Sequence, residues 1–458
     1  MSRYAPHDRA GARAPTGFFI ATSFLLIAAL LLGGGRGGLG DVLVQGTALG
    51  VLCAHGFLPG TTPAVRRWWR FVAGLAIALP LLHWLVLPLL PGAGPLRDQL
   101  GEELAAARIA PGAAAGLHPL AAERALWSLL PALAMCAAAL RLGYRQQRQL
   151  TGLLLALAVL SLLLGLAQLA DGQQSLLRFH SPTSTEDAVG FFANRNHLAA
   201  LLVASLPLAV GCAALAWRRR RNVGPRGAFI AAGLIAIALI LLLGVAVTRS
   251  RAGILLGAAA MLSCLPALWQ GGMRRGSRPL RLILGAGFAL VLSFALFGLL
   301  QRMDSDPLDD GRWTYARVVA AAAEATAPWG SGLGSFGEVY PQYEAETGNG
   351  PDYAVVNHAH NDVLELWLEA RWTFLVLALM FVAMMAWLGW RLWRPPGQAG
   401  GAAWTNARLA WISASLLMLH SCVDYPLRTT SMLAVFGMLV ALAVGPVLDE
   451  QRNTPQES

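Results

Sequence analysis

The sequence predicts an all-α polytopic membrane protein of about twelve transmembrane helices with a large, partly helical loop on the outer face. Of the 458 residues, 56% are hydrophobic and 13% are charged, about half the charged share of a soluble chain. The apolar residues also come in unbroken blocks close to the roughly 20 residues a helix needs to cross a bilayer. The loops between blocks alternate between basic and acidic, as membrane orientation requires.

Sustained hydrophobicity places the spans at 16–35, 41–58, 70–91, 123–141, 150–170, 197–217, 227–248, 252–269, 280–300, 371–393, 405–422 and 430–448. The first block opens near Gly17 after a basic leader. No small-residue cleavage site and soluble domain follow it, so it reads as a span and not a signal peptide. The second block is Gly-rich and interrupted by His55. Residues 1–300 therefore form spans one to nine, 301–370 a large outer loop that carries the chemistry, and 371–448 spans ten to twelve. Residues 449–458 form a polar cytoplasmic tail.

One set of loops reads RRWWR (66–70), RLGYRQQR (141–148), RRRRNVGPR (218–226), MRRGSRPLR (273–281) and RLWR (391–394). The other set contains 92–122, 171–196 and 301–370, and the last holds twelve acidic residues against Arg302, Arg312 and Arg317. Basic loops stay cytoplasmic, which puts both termini inside and 301–370 outside. The basic residues are all Arg and cluster in the short loops of the first set, so the pI of about 10.1 reflects orientation and gives no reason to expect nucleic acid. Cys53, Cys136, Cys212, Cys264 and Cys422 lie in or beside apolar blocks without paired spacing, which argues against a disulfide framework or a zinc site.

The outer loop is the least repetitive part of the chain. It contains GRWTYARVV (311–319), APWGSGLGSFGEVYPQYE (327–344) and NHAHNDVLELWLEA (357–370). Gly330, Gly332, Gly334 and Gly337 suit a tight turn closely approached by backbone or ligand, or a flexible surface loop. From Asp362 onward, polar Asp362, Glu365 and Glu369 alternate with Val363, Leu364, Trp367 and Leu368 at helical spacing. Asn361 and Asp362 are good helix starters, which puts His360 at an amino end. There it should stay neutral near pH 7 and able to accept a proton, and the same end favours a bound diphosphate. A zinc-ligating pair with His358 lacks a third ligand at a supporting distance, and a structural histidine pinning the loop is the plainer alternative.

Two arginine positions stand apart from the cytoplasmic ones. TRSRAG (248–253) puts Arg249 and Arg251 at the outer end of the seventh span, the wrong face for a charge that only sets topology. Snorkelling to the headgroups is the alternative. Arg312 is one of few cations in an acidic loop; it could pair with Asp309 or Asp310, or offer its fork to a diphosphate. GFFANRNHLAALL (190–202) adds Asn194, Arg195, Asn196 and His197 at the mouth of the sixth span. Asp304 and Asp306 could hold a metal, but a run as acidic as DSDPLDD reads as a solvated loop, so neither a metal nor a cofactor is expected.

GFFANRNHLA, TRSRAG, GRWTYA, GSGLGSF and HAHNDVLE, in this order across twelve spans, resemble the O-antigen ligase and polymerase superfamily. The resemblance is dense from Gly190 to Arg371. It implies an integral-membrane glycosyltransferase of the GT-C type, with a glycan donor on undecaprenyl diphosphate and a glycan or glycolipid acceptor. It further implies the bacterial inner membrane, with membrane lipid around the spans and the active site on the periplasmic face. His360–Asn361 matches the essential His motif, and Arg251 and Arg312 fall in the motifs whose arginines contact the lipid diphosphate. Family ligases carry Gly ten residues past the Asn and Gly, Thr or Tyr three further on; this chain has Arg371 and Phe374. That departure leaves a repeat-unit polymerase as open as a ligase.

On this reading His360 is the general base, oriented by Asn361, with His358 beside it at the substrate. Arg251 and Arg312, supported by Arg249 and Arg195, stabilise the departing diphosphate. One base and no protein nucleophile imply inverting displacement. Twelve spans also describe transporters and lipid flippases, but few ionisable residues fall in span interiors.

Overall fold

The computed structural model describes residues 14–35, 37–59, 61–86, 119–182, 184–270, 311–346, 356–394 and 401–453, with single positions 106, 285, 286, 289 and 293. Every regular element among them is a helix: α1 (Thr16–Leu32), α2 (Leu39–Phe57), α3 (Pro63–Leu81), α4 (Pro119–Ser128), α5 (Leu130–Arg141), α6 (Tyr144–Asp171) and α7 (Arg195–Val223), followed by α8 (Pro225–Val247), α9 (Arg251–Gln270), α10 (Gly311–Ala325), α11 (Phe336–Glu346), α12 (Asp362–Trp393), α13 (Ala402–Ser421) and α14 (Thr430–Asn453). A π turn, Leu82–Val86, extends α3.

Six stretches among the described residues are long and apolar enough to cross a membrane: Ala121–Arg141, Tyr144–Asp171, Arg195–Arg220, Pro225–Val247, Asp362–Trp393 and Thr430–Glu450. Thr16–Leu32 and Arg251–Pro266 are apolar but shorter. The expected span over 280–300 lies outside the described residues apart from four positions. α3 and α6 begin seven and six residues before the expected spans at 70 and 150, and two further elements are divided or joined differently. The expected span over 123–141 is divided at Leu129, just before Pro131, which fits a first helical turn better than an interior. The helix expected from Asp362 and the span expected from 371 run together as α12, with a kink at Arg371 (φ 38°, ψ −123°).

The core is built on α7 and α14, which are buried along most of their length, with α13 beside both. α5 presents the buried small side chains Ala134, Ala137, Ala138 and Ala139 and packs against α14. Small residues let helix backbones approach closely where lipid supplies no hydrophobic drive. α12 is the opposite case, because Val376, Leu379, Met380, Val382 and Trp390 face outward. An apolar outer surface of this kind suits hydrocarbon and not water. α7 and α8 form a hairpin turned by Gly224 in left-handed geometry (φ 73°).

Helix ends meet in two separate groups. At one end, Ser431 N–H donates to Gly33 O, Ala193 N–H to Gly34 O and Asp362 N–H to Asp424 O. This joins the end of α1 to the starts of α7, α12 and α14. At the other, Arg141 donates to the carbonyls of His55 and Leu58, Gln146 to Ala14 O, and Arg391 pairs with Glu450. The Arg-rich connections 141–148 and 391–394 fall in the second group and the motif-bearing segments in the first. Above the first group, α10, α11 and the start of α12 enclose their own small core of Val318, Val319, Ala322, Phe336, Val339, Tyr340, Ala359 and Leu368. The segment carrying the two histidines is thus packed, not loose.

Candidate active site

Asn361 starts α12. Its Oδ1 accepts from Val363 N–H and Leu364 N–H at 3.0 and 3.1 Å, satisfying two amides that a helix start leaves without partners. Its Nδ2 donates to Cys422 O at 2.7 Å. One side chain therefore caps the helix and ties it to the segment between α13 and α14. His360, just before the cap, takes left-handed geometry (φ 52°), uncommon for a residue with a Cβ and found where surrounding structure imposes it. Three contacts impose it here: Ala359 N–H on Glu365 Oε2 at 2.9 Å, the Asn361 tie, and Asp362 N–H on Asp424 O.

The imidazole of His360 lies with Nδ1 3.4 Å from Asp424 Oδ1. Its ring stacks on Tyr315 at 5.8 Å and meets Tyr425 edge-on at 5.1 Å. Asp424 is fully buried. Burial alone would push its carboxyl up, but His360 and the fields of His197 and His420 outweigh burial and hold it at about 2. Asp424 is therefore an anion at neutral pH, as a carboxylate orienting an imidazole must be.

Tyr425 is the hub of the cluster. His358 lies against its ring at 4.4 Å, His197 meets it at 4.9 Å, and its hydroxyl is 3.4 Å from Asn194 Nδ2. GFFANRNHLA, GRWTYA and HAHND thus converge, through Asn194 and His197, Tyr315, and His358 and His360. Behind them the partly buried Arg428 lies among three carboxylates on one face of α12. Its Nη2 is 3.1 Å from Glu369 Oε2, its Nη1 3.5 Å from Glu365 Oε1, and its Nε 3.6 Å from Asp362 Oδ1. Partial burial disfavours the guanidinium, but these carboxylates more than compensate and raise its pKa.

The glycines of 330–334 serve backbone contact. A Cβ on Gly330 would lie 2.5 Å from Glu369 O. The amides of Ser331 and Gly332 donate to Leu368 O and Glu369 O at 3.0 and 2.9 Å, just before the α12 kink. The segment clamps the kinked helix, which decides between the two sequence readings in favour of close backbone approach.

Residues 236–370 match the O-antigen ligase family model. The match to this O-antigen ligase model runs from within α8 to the turn of α12 before the kink, and takes in Arg249, Arg251, Arg312, His358, His360 and Asn361. The resemblance to the O-antigen ligase and polymerase superfamily therefore holds over that stretch, and the family implies a membrane glycosyltransferase-like enzyme. No curated protein matches the chain.

The sequence-predicted residues are not all gathered. His358, His360 and Asn361 are together. Arg251 opens α9 behind Ser250, whose Oγ caps Gly253 N–H, and Gly253 faces Ala199 in the first turns of α7. Arg249 and Arg251 are thus at the same end of the bundle, both exposed. Arg195 is bound to Asp187 at 2.9 Å, so part of its charge is already matched. Arg312 stands in the first turn of α10, three residues before Tyr315, and its side chain lies outside the described atoms, as do Asp304 and Asp306. Among the described residues, no group of three or more His, Cys, Asp or Glu is arranged for a metal. Sequence reasoning missed VDYPLR (423–428), which supplies Asp424, Tyr425 and Arg428. An Asp and an Arg four residues apart in the short link between two long apolar blocks were the available signal.

Proposed function

We propose that this protein transfers a glycan from a polyprenyl diphosphate, undecaprenyl diphosphate in the family it resembles, to an acceptor hydroxyl on the periplasmic face of the inner membrane. The observation that carries this reading is His360, strained and packed, with Nδ1 against the buried anion of Asp424. That arrangement leaves Nε2 to take the acceptor proton and lets Asp424 balance the imidazolium that results. As the acceptor O–H proton moves to Nε2, the oxygen attacks the anomeric carbon. The bond from that carbon to the phosphate oxygen breaks, and the diphosphate leaves with the electron pair. Without a protein nucleophile, the configuration inverts. Arg251 and Arg312, with Arg249 and the partly matched Arg195, balance the charge developing on the phosphates. No cofactor or metal enters these steps.

A repeat-unit polymerase remains the second reading, because the chain departs from the ligase pattern at Arg371 and Phe374. Arg371 nonetheless adopts φ 38°, a backbone geometry that glycine favours, so the departure changes the side chain and keeps the turn. The test is the purified full-length chain in lipid nanodiscs with a short polyprenyl-diphosphate oligosaccharide as donor. A lipid A core glycolipid is offered in one arm, and the donor alone, able to extend itself, in the other. Product in the first arm marks a ligase and lengthened donor marks a polymerase. No transfer in either arm, with the donor bound, overturns the proposal.

A further inference from the structure

His358 is the second imidazole of the cluster, and its surroundings parallel those of His360. Its Nδ1 is 2.9 Å from Glu365 Oε1, within a buried carboxylate's hydrogen-bond reach, as Nδ1 of His360 faces Asp424. Both rings lie against Tyr425, and both are about one-third exposed (29% and 31%). A carboxylate accepts only, so an Nδ1 directed at one carries the proton, and Nε2 on the far side of the ring is left as an acceptor. Glu365 is itself fixed: Oε2 holds Ala359 N–H, and Arg428 approaches Oε1 at 3.5 Å. The order of support runs from Arg428 to Glu365 to His358.

We propose that His358 is a second polar arm of the site, which binds the acceptor sugar through Nε2. Glu365 presents the ring and Arg428 holds Glu365. This rests on the glycosyl-transfer reading and adds to it a contact to a hydroxyl next to the one that reacts. His358 moves no proton in the reaction; Glu365 and Arg428 are positioning residues.

Two amide substitutions separate this role from a purely structural one. The amide of Asn at 358 can replace Nδ1 and keep the Glu365 contact, but has nothing at the Nε2 position. Gln reaches the Nε2 position and gives up the Glu365 contact. In the nanodisc assay above, His358→Asn should raise the acceptor KM roughly tenfold, the scale of one lost hydrogen bond, with kcat and donor binding nearly unchanged. His358→Gln should recover most of that loss. The reverse order, Asn near wild type and Gln impaired, assigns His358 to structure alone and overturns the inference while leaving glycosyl transfer intact. A wild-type chain that transfers nothing overturns the functional proposal instead. A readout that needs no turnover is nitrogen NMR of the histidine-labelled full chain, with the His358 signals assigned by their loss in His358→Asn. The expected result is a protonated Nδ1 and a bare Nε2 at pH 8, converted to the other tautomer by Glu365→Gln. A bare Nδ1 in the wild type overturns the inference without reference to activity.

Discussion

Nδ1 of His360 sits 3.4 Å from Oδ1 of Asp424, across the junction between the start of α12 and the link from α13 to α14. The two residues meet because Asn361 and Asp362 fasten one segment to the other through Cys422 O and Asp424 O. A buried carboxylate that orients an imidazole contributes most when the ring becomes charged. Asp424→Asn keeps the shape but can present an amide N–H to Nδ1, favouring the wrong tautomer. Transfer in the purified assay should fall by about 10² or more, with donor binding retained. A loss of only a few-fold would remove Asp424 from the mechanism.

His360 and the arginines should fail differently. A base acts on the acceptor proton, so His360→Ala should lower transfer by about 10² to 10⁴ and leave donor affinity nearly intact. Arg251→Ala and Arg312→Ala should weaken donor binding as well as turnover, because a phosphate contact exists before and during reaction. Lysine at either position should restore only part, since a point charge does not reproduce the fork. Equal donor-binding losses in the His360 and Arg312 variants would contradict this division of roles.

How much of this was legible in the sequence depends on what each signal measures. Hydrophobic periodicity measures burial along one helix, so it located the helix from Asp362 and its start at Asn361. It also marked α5, α6, α7, α8 and α14 as apolar. It carries no information on which loops meet, so Asp424 and Arg428 remained ordinary loop charges until the fold brought them to His360 and Glu365. The glycines of the Gly330–Gly334 segment fitted a close-packed turn and a flexible loop equally well, and only its partner, the carbonyls at the α12 kink, decides between them. That kink falls at Arg371, where the residue type gives no hint of left-handed geometry. Arg195 looked like a candidate phosphate ligand because Asp187, its ion-pair partner, is eight residues away and unremarkable in sequence.

Orientation follows from the charge of the loops and can be tested by fusion. A reporter after Gly348 should report the periplasm and one after Arg221 the cytoplasm. The reverse result at either position would move the site to the wrong face for a lipid-linked donor outside the cytoplasm.

The Asp424 carboxyl, held at about 2 against an ordinary value near 3.8, makes a prediction for acid stability. A carboxyl whose folded value is depressed contributes stability that is fully present above its unfolded value. That contribution is lost as pH falls toward the folded one. The wild-type advantage over Asp424→Asn in thermal melting should therefore be constant from pH 7 to about 5. It should shrink by about 2 kcal/mol as pH drops from about 4 to 2. A difference that stays flat to pH 2.5 would mean that Asp424 is not the anion described here.

The clamp between Gly330 and the α12 kink gives a test that involves no substrate. A Cβ at residue 330 would meet the backbone carbonyl of Glu369 at 2.5 Å, and residue 330 itself has φ 90°. Backbone cannot give way as the end of a side chain can, so Gly330→Ala should cost about 2 kcal/mol or more. The opposite logic holds at Arg371, a side-chain-bearing residue in geometry that glycine takes freely (φ 38°, ψ −123°). Arg371→Gly relieves about 1 kcal/mol of strain but gives up the guanidinium stacked over Trp367 at 4.6 Å. It also gives the unfolded chain more freedom. These effects are similar in size, so Arg371→Gly should melt within a few degrees of wild type. Arg371→Val, β-branched and poorly tolerant of positive φ, should melt well below both. The order glycine above valine at 371, together with loss on Gly330→Ala, is what the clamp requires. Valine equal to glycine at 371 would mean that the kink does not have this geometry in the membrane.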